Sequence, residues 1–148
     1  MHGESSRRHM TIFIAAPWDD KKIAKEAAEK FRDAGIDVTS RWIDQPDTDD
    51  PDELHKDALR DIEDIVDSHM LVLINWQSRG HETSGKAVET GIAIALWKPV
   101  VVVGLRTNIY HWLNMPVVDT VEEAITEVQR WEPVRDLVRD EILSAIRK

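Results

Sequence analysis

The sequence contains no cysteine among its 148 residues. This absence excludes disulfide frameworks, cysteine zinc sites and thiol catalysis. Long apolar runs are also missing. The longest, Pro99 to Val103 followed by Gly104 and Leu105, is far shorter than the ~20 residues that a membrane-spanning helix needs. No charged head followed by an apolar block marks a secretory signal. We therefore expect a cytoplasmic protein with no membrane partner.

Basic residues are scarce relative to acidic ones, with 19 Lys and Arg against 28 Asp and Glu and a net charge of −9. A nucleic-acid-binding surface needs clustered positive charge, so no nucleic-acid partner is expected. The negative net charge still allows a local site that binds a small anion. The apolar and charged fractions, 42% and 32%, are typical of one folded domain at this length. We predict a flexible tail over residues 1–10 and a single domain over residues 11–148.

Apolar runs alternate with amphipathic segments along the rest of the chain. The predicted strands are Thr11–Ala16, Ile36–Trp42, Met70–Ile74, Pro99–Val103 and a short Val117–Val118. The predicted helices run from Asp19 or Asp20 to Ala34, then over Pro51–Val66, Ser84–Trp97, Val121–Trp131 and Val134–Ile146. This alternation indicates an α/β fold: a doubly wound, five-stranded parallel sheet of flavodoxin-like order with helices on both faces. Such sheets bind ligands at the carboxyl ends of their strands.

One acid falls on an apolar helix face. Asp61 lies within a stripe of helical spacing formed by Leu54, Ala58, Ile62 and Ile65. A carboxylate on a core-facing stripe costs free energy unless it is paired or used chemically. A structural interpretation is a partly buried Asp bonded to a backbone group or to an arginine such as Arg41. The alternative is a catalytic role.

A second acid repeats the pattern on the next helix. Glu89 lies three residues before Ile92 and four before Ala93, so it faces inward. Near a helix N-terminus the dipole favours an ionised carboxylate, which would suit a nucleophile, although such a Glu can also simply stabilise the helix end. Two acids on consecutive helices can divide the acid and nucleophile roles, as in glycosidic bond cleavage.

Three segments together resemble the nucleoside 2-deoxyribosyltransferase family, including its nucleotide N-glycosidase branch. They are TIFIAAPW from Thr11, ALRDIEDIVDSHMLVLI from Ala58 and SGKAVETGIAIALWKPVVVVG from Ser84. The resemblance implies that Glu89 is the nucleophile, which forms a covalent glycosyl-enzyme. It implies that Asp61 handles the proton of the departing base. The sugar then passes to a second nucleobase or to water, and no cofactor is implied.

The resemblance also implies substrate-binding positions. Thr83 and Ser84 offer hydroxyls near the sugar 5′ group, although either could instead cap the helix. Gly85 begins the Gly–x–x–x–Glu–x–Gly–x–Ala pattern, and Trp18 could stack on a base or simply pack. Asn108 matches a position that some members extend into a neighbouring subunit's site. A homo-oligomer with shared active sites is therefore expected.

Two departures from the family pattern bear on the substrate. Phe13 stands where the transferases commonly carry a Tyr that bonds the catalytic Glu, and Phe there resembles members that hydrolyse ribonucleotides. The first loop, APWDDKK, lacks the phosphate loop of the hydrolase branch, although Lys21, Lys22 and Lys86 could supply positive charge. The expected function is sugar transfer between a nucleoside and a nucleobase. Hydrolysis of nucleoside 5′-monophosphates, with tolerance of ribose, is the alternative.

Non-enzymatic alternatives find little support in the sequence. A receiver-like signalling module would end its third strand with an acceptor Asp, whereas this strand is followed by Asn75. A flavin-binding module would need a phosphate loop. The histidines have no metal-ligand spacing on one element, so no metal is expected.

Overall fold

The computed structural model describes residues 9–17, 20–76, 84–113, 115–131 and 137–148. The strands are β1 (Thr11–Ala15), β2 (Asp37–Val38), β3 (Met70–Asn75), β4 (Val100–Gly104) and β5 (Val117–Val118). The helices are α1 (Lys21–Asp33), α2 (Pro51–Asp67), α3 (Ser84–Ala95), α4 (Val121–Gln129) and α5 (Leu137–Ile146). Two short 3-10 helices cover Arg41–Asp44 and Ile109–Trp112. Most of the predicted tail lies outside the described residues.

The five strands form one parallel sheet in the order β2-β1-β3-β4-β5. The predicted α/β fold with flavodoxin-like order is confirmed. α1 contacts α4, whereas α2 contacts α3 and α5, so the helices form two layers on opposite faces of the sheet. The strand order reverses between β1 and β3, and ligands bind near such a switch point. Among the described residues, no helix combines the length and apolarity needed to cross a membrane.

The core lies at the three central strands because their sequences are almost continuously apolar. All six residues of β3 are buried, as expected of a strand covered on both faces. From α1, Ala27 and Phe31 are buried against the sheet, as their helical spacing predicts. Burying a side chain such as Phe31 contributes about 1.5–3 kcal/mol. The sheet is therefore a rigid support for the segments that follow its strands.

The predicted strand Ile36–Trp42 is mostly wrong, because β2 covers only Asp37–Val38. Beyond Val38, hydrogen bonds from side chains to β1 take the place of backbone pairing. The Ile14 N–H donates to Ser40 Oγ at 2.6 Å, and the Trp42 indole N–H donates to the Ile14 carbonyl at 2.8 Å. The backbone groups of β1 are thus satisfied without a longer neighbouring strand. The chain is free to turn into the 3-10 helix that carries Arg41.

The predicted inward face of α2 is also largely wrong. Leu54 and Ile62 are 49% and 37% exposed, and Ala58 is exposed as well. The side that faces the protein instead carries Ile65, the buried Asp64 and the half-buried Asp61. A helical period identifies residues that share a face, but it does not identify what covers that face.

Candidate active site

Two consecutive crossover helices bring together the carboxyl groups of Asp61 and Glu89. α2 leads into β3, α3 follows it, and the two helices contact each other. Asp61 lies six residues before the end of α2, and Glu89 is the sixth residue of α3. Each is therefore about 8–9 Å from its helix terminus, given the rise per residue. The two side chains share a hydrogen bond between the helices.

The surroundings of the pair favour the protonated form of its carboxyl groups. Burial, followed by the charge and hydrogen bond of Asp61, raises the pKa of Glu89 to about 9. Burial raises the pKa of Asp61 to about 6, with Asp64 adding to the rise. The protonated form is therefore favoured at Glu89 more strongly than at Asp61. The expectation of an ionised Glu89 is wrong for the free chain, since Glu89 lies beyond the first turn of α3, where the dipole acts most strongly.

Asp61 does not have the contacts of a structural aspartate. Its Oδ1 is buried and has no hydrogen-bond partner among the described residues. Buried polar atoms in folded proteins normally have partners, and the neighbour available to Asp61 is the carboxyl group of Glu89 rather than an arginine or a backbone N–H. The predicted structural partner, Arg41, binds Asp64 instead, with Nε 2.9 Å from Oδ1. Asp64 is thus the acid of α2 that pairs with Arg41, and Asp61 lies beside Glu89 instead.

The other predicted site residues differ in how they are placed. Phe13 is completely buried in the middle of β1, paired in register with Leu71. Gly85 is exposed near the start of α3, and a Cβ there would meet nothing within 4 Å. Ser84 begins α3, but its side chain lies outside the described part of the chain. Trp18 and Thr83 also lie outside the described residues.

Asn108 begins an exposed polar–aromatic segment after β4. Its Oδ1 accepts the N–H of Tyr110 at 2.9 Å, and its Nδ2 lies 3.3 Å from Nε2 of His111. Tyr110 and Trp112 are 58% and 72% exposed. Within a single chain, Asn108 thus caps a short 3-10 helix whose aromatic side chains project into solvent.

The sequence analysis did not predict a buried cluster of hydrogen-bonded polar groups at the carboxyl end of β3. Asn75 donates through Nδ2 to the Leu105 carbonyl at 2.7 Å and accepts from Lys86 Nζ at 2.6 Å. Gly104 has a φ of +116°, and a Cβ there would lie 2.4 Å from the Asn75 carbonyl oxygen, so only glycine fits. This cluster could have been predicted from Asn75, because its amide ends an otherwise apolar strand at the edge of the sheet where ligands bind.

No group of three or more metal-ligating side chains occurs within the described ranges. Two histidines there have structural bonds instead. The Thr11 N–H donates to His69 Nδ1, and the Thr107 N–H donates to His111 Nδ1, each at 3.0 Å. The groups of this candidate site that are suited to chemistry are therefore the carboxyl groups of Asp61 and Glu89.

The fold is an α/β sheet with two neighbouring, partly buried carboxyl groups on consecutive crossover helices. The sequence profile described as nucleoside 2-deoxyribosyltransferase matches residues 12–125. The chain belongs to this family. A search of curated proteins finds no significant match.

Solved structures share the fold at low sequence identity. A 2-deoxyribosyltransferase from Bacillus psychrosaccharolyticus is 20% identical with a TM-score of 0.66, covering 86% of this chain and 93% of its own. A conserved protein from Enterococcus faecalis V583 is 21% identical with a TM-score of 0.64, covering 82% and 98%. The CMP N-glycosidase BcmB from Clostridium botulinum is 16% identical with a TM-score of 0.52, covering 82% and 99%.

Proposed function

We propose that this chain is a nucleoside 2-deoxyribosyltransferase that cleaves an N-glycosidic bond through a covalent intermediate on Glu89. The observation that carries the proposal is the neighbouring pair of Asp61 and Glu89, in which burial raises the pKa of both carboxyl groups. Family membership over residues 12–125 supports it, as does the similarity in fold to a 2-deoxyribosyltransferase.

The shared proton fits the first chemical step. As substrate enters, the proton passes from Glu89 to Asp61, which leaves Glu89 ionised. A Glu89 oxygen then bonds to the anomeric carbon while the carbon–nitrogen bond breaks through an oxocarbenium-like transition state. The departing base takes the proton from Asp61. The products of this step are the neutral free base, a glycosyl ester of Glu89 and an ionised Asp61.

The second step reverses the first with a new acceptor. Asp61 accepts a proton from the incoming nucleobase, whose nitrogen attacks the anomeric carbon and releases Glu89. Water in place of the base would give hydrolysis by the same route. No metal or redox cofactor is required, because one proton moves back and forth between the substrate and the carboxyl pair.

A chromatographic assay of base release tests the proposal. Deoxynucleosides, ribonucleosides and their 5′-monophosphates are each incubated with the protein, with and without an acceptor base. A transferase is expected to form a new nucleoside only when acceptor is present. Release of free base without any exchange product would support the hydrolase, and no release from any substrate would contradict both activities.

Lys86 favours nucleoside 5′-monophosphate hydrolysis as a second candidate function. This lysine is buried near the start of α3, and no described carboxylate forms an ion pair with it. One of its three donors is used by Asn75, so two are available to a ligand. A buried cation without counter-charge costs free energy, which a phosphate at this helix N-terminus would offset. The similarity in fold to a CMP N-glycosidase agrees with this candidate.

Lys86→Met separates the two candidates. If Lys86 binds a 5′-phosphate, kcat/KM for monophosphates is expected to fall by about 10–100-fold, the worth of a charged hydrogen bond, with a smaller loss for nucleosides. Lys25→Met is the matched control, because Lys25 is exposed on α1 and pairs with Asp44. Equal losses on both substrate classes would mean that Lys86 only holds Asn75 in place.

We further propose that the protein is a homo-oligomer with shared sites. The apolar stripe of Leu54, Ala58 and Ile62 on α2 faces solvent in the single chain, where burial against a second copy would stabilise it. The exposed segment from Asn108 to Trp112 is suited to cover a neighbour's site.

Ile62→Asp is expected to dissociate the oligomer, since it places a charge in the middle of the α2 stripe. Light scattering of the wild type and the variant measures the change in mass. Glu29→Lys, on the exposed side of α1 in the opposite layer, serves as the control and should not alter the mass. A wild-type protein that is monomeric and active would contradict the oligomer proposal.

A further inference from the structure

Three acids lie on the inward side of α2 at successive turns. Asp57, Asp61 and Asp64 have the spacing i, i+4 and i+7, so they share one helix face. Asp64 is 4% exposed, and the other two are half-buried. Like charges one turn apart repel each other and resist ionisation where solvent is scarce. The ionised forms of these three acids are therefore stable only if positive charge lies nearby.

Each flanking acid pairs with an arginine, and one of these arginines is shared with Glu63. Asp57 accepts from Arg60 on the same helix at 2.9 Å. Asp64 accepts from the backbone N–H of Arg41 at 3.0 Å and from its Nε at 2.9 Å. The terminal Nη2 of Arg41 lies 2.8 Å from Asp64 Oδ1 and donates to Glu63 at 2.6 Å. The forked guanidinium gives this second pair a fixed geometry. Arg41 comes from the 3-10 helix after β2, so another element supplies the charge.

The central Asp61 has no arginine of its own within the described residues and pairs with Glu89 instead. Two other basic side chains, on α3 and after α5, have partners other than Asp61. Lys86 on α3 donates to Asn75, and Arg147, just after α5, contacts Glu63 at 3.2 Å. The arginines offset part of the charge of the two flanking acids, which both still raise the pKa of Asp61.

We propose that Arg41 is a positioning residue for the reaction: by holding Asp64, one helical turn from Asp61, and offsetting part of its charge, it favours one ionised carboxylate within the Asp61–Glu89 pair. This inference rests on the proposed function of the same two acids. One proton lets the pair supply an ionised nucleophile and an acid in the same step, whereas two protons leave no nucleophile. The charge of Asp64 raises the pKa of Asp61 and that of Arg41 lowers it, as the proposal requires.

The pH dependence of kcat/KM tests the proposal in both directions. At low pH, kcat/KM falls as the carboxyl pair takes up a second proton, which gives the acid limb of the pH profile. Arg41→Gln is expected to move this limb about one pH unit higher, so that the rate at pH values below it is about tenfold lower. Asp64→Asn, with Arg41 kept, is expected to move the limb towards lower pH. Arg41→Lys, which keeps the charge, and the double variant Arg41→Gln with Asp64→Asn are both expected to return the limb towards its wild-type position.

A structural role would give a different result. Rates that fall equally at every pH, with an unmoved limb in both single variants, would overturn the proposal. Carbon-13 NMR titration of the Asp61 and Glu89 carboxyls in the substrate-free protein follows the same shifts without turnover. Its expected outcome is the same pair of opposite shifts even if no substrate is cleaved. Failure of the proposed function and failure of this inference are therefore separable, and Asp64→Asn alone decides the matter if Arg41→Gln does not fold.

Discussion

Glu89→Ala is expected to lower the rate of base release by about 10⁴-fold or more, the range lost when a nucleophile is removed from an enzyme. The physical reason is that Ala offers no oxygen to form the glycosyl ester, so the reaction loses its covalent route. The fold should persist, because Ala has high helix propensity and the substitution removes a carboxyl group whose burial is costly. Activity is measured by chromatography of free base, and folding by circular dichroism.

Glu26→Ala is the matched control, since Glu26 is an exposed acid on α1. It should release base at the wild-type rate. A sharper measurement is the mass of wild-type protein quenched during turnover, which should carry one sugar residue on a peptide containing Glu89. A folded Glu89→Ala protein with wild-type turnover would refute the assignment of the nucleophile.

Asp61→Asn is expected to slow the reaction by about 10²–10⁴-fold, the usual worth of a general acid. Asn keeps the shape of the side chain but cannot take the proton from Glu89 and pass it to the base. A substrate whose base leaves readily without protonation should therefore lose much less rate. Single-turnover rates on a poor and a good leaving group measure the difference.

Glu53→Gln provides the control on the same helix, because Glu53 lies in the first turn of α2 and pairs with Lys56. It should leave both substrates unaffected. If Asp61→Asn lowers the rates on good and poor leaving groups by the same factor, its role is structural and the assignment of the acid is wrong.

The pH dependence of stability gives an independent check on the carboxyl pair. The pKa of Glu89 in the folded chain lies well above that of an unfolded glutamate, so the folded state binds the extra proton. Its contribution to the free energy of unfolding is full below about pH 4.5 and is lost as the pH rises towards about 9. Glu89→Gln should flatten that loss in urea denaturation measured across the range.

The sequence by itself determined the fold and the two candidate acids. The continuous apolar runs at β1, β3 and β4 predict buried parallel strands, because only a sheet covered on both faces accommodates them. The spacing of Glu89 from Ile92 and Ala93 placed it on the inner face of α3. The family resemblance selected the same two acids, whose catalytic roles are still predictions.

Tertiary structure alone decided what surrounds those acids. The stripe containing Leu54 and Ile62 has helical spacing, yet it faces solvent, because periodicity gives a shared face and not its neighbour. The structure alone assigned Arg41 to Asp64 rather than Asp61, since their contact joins elements 23 residues apart in sequence. The protonation of Glu89 likewise depends on burial between two helices, and desolvation is a property of packed neighbours that no local pattern encodes.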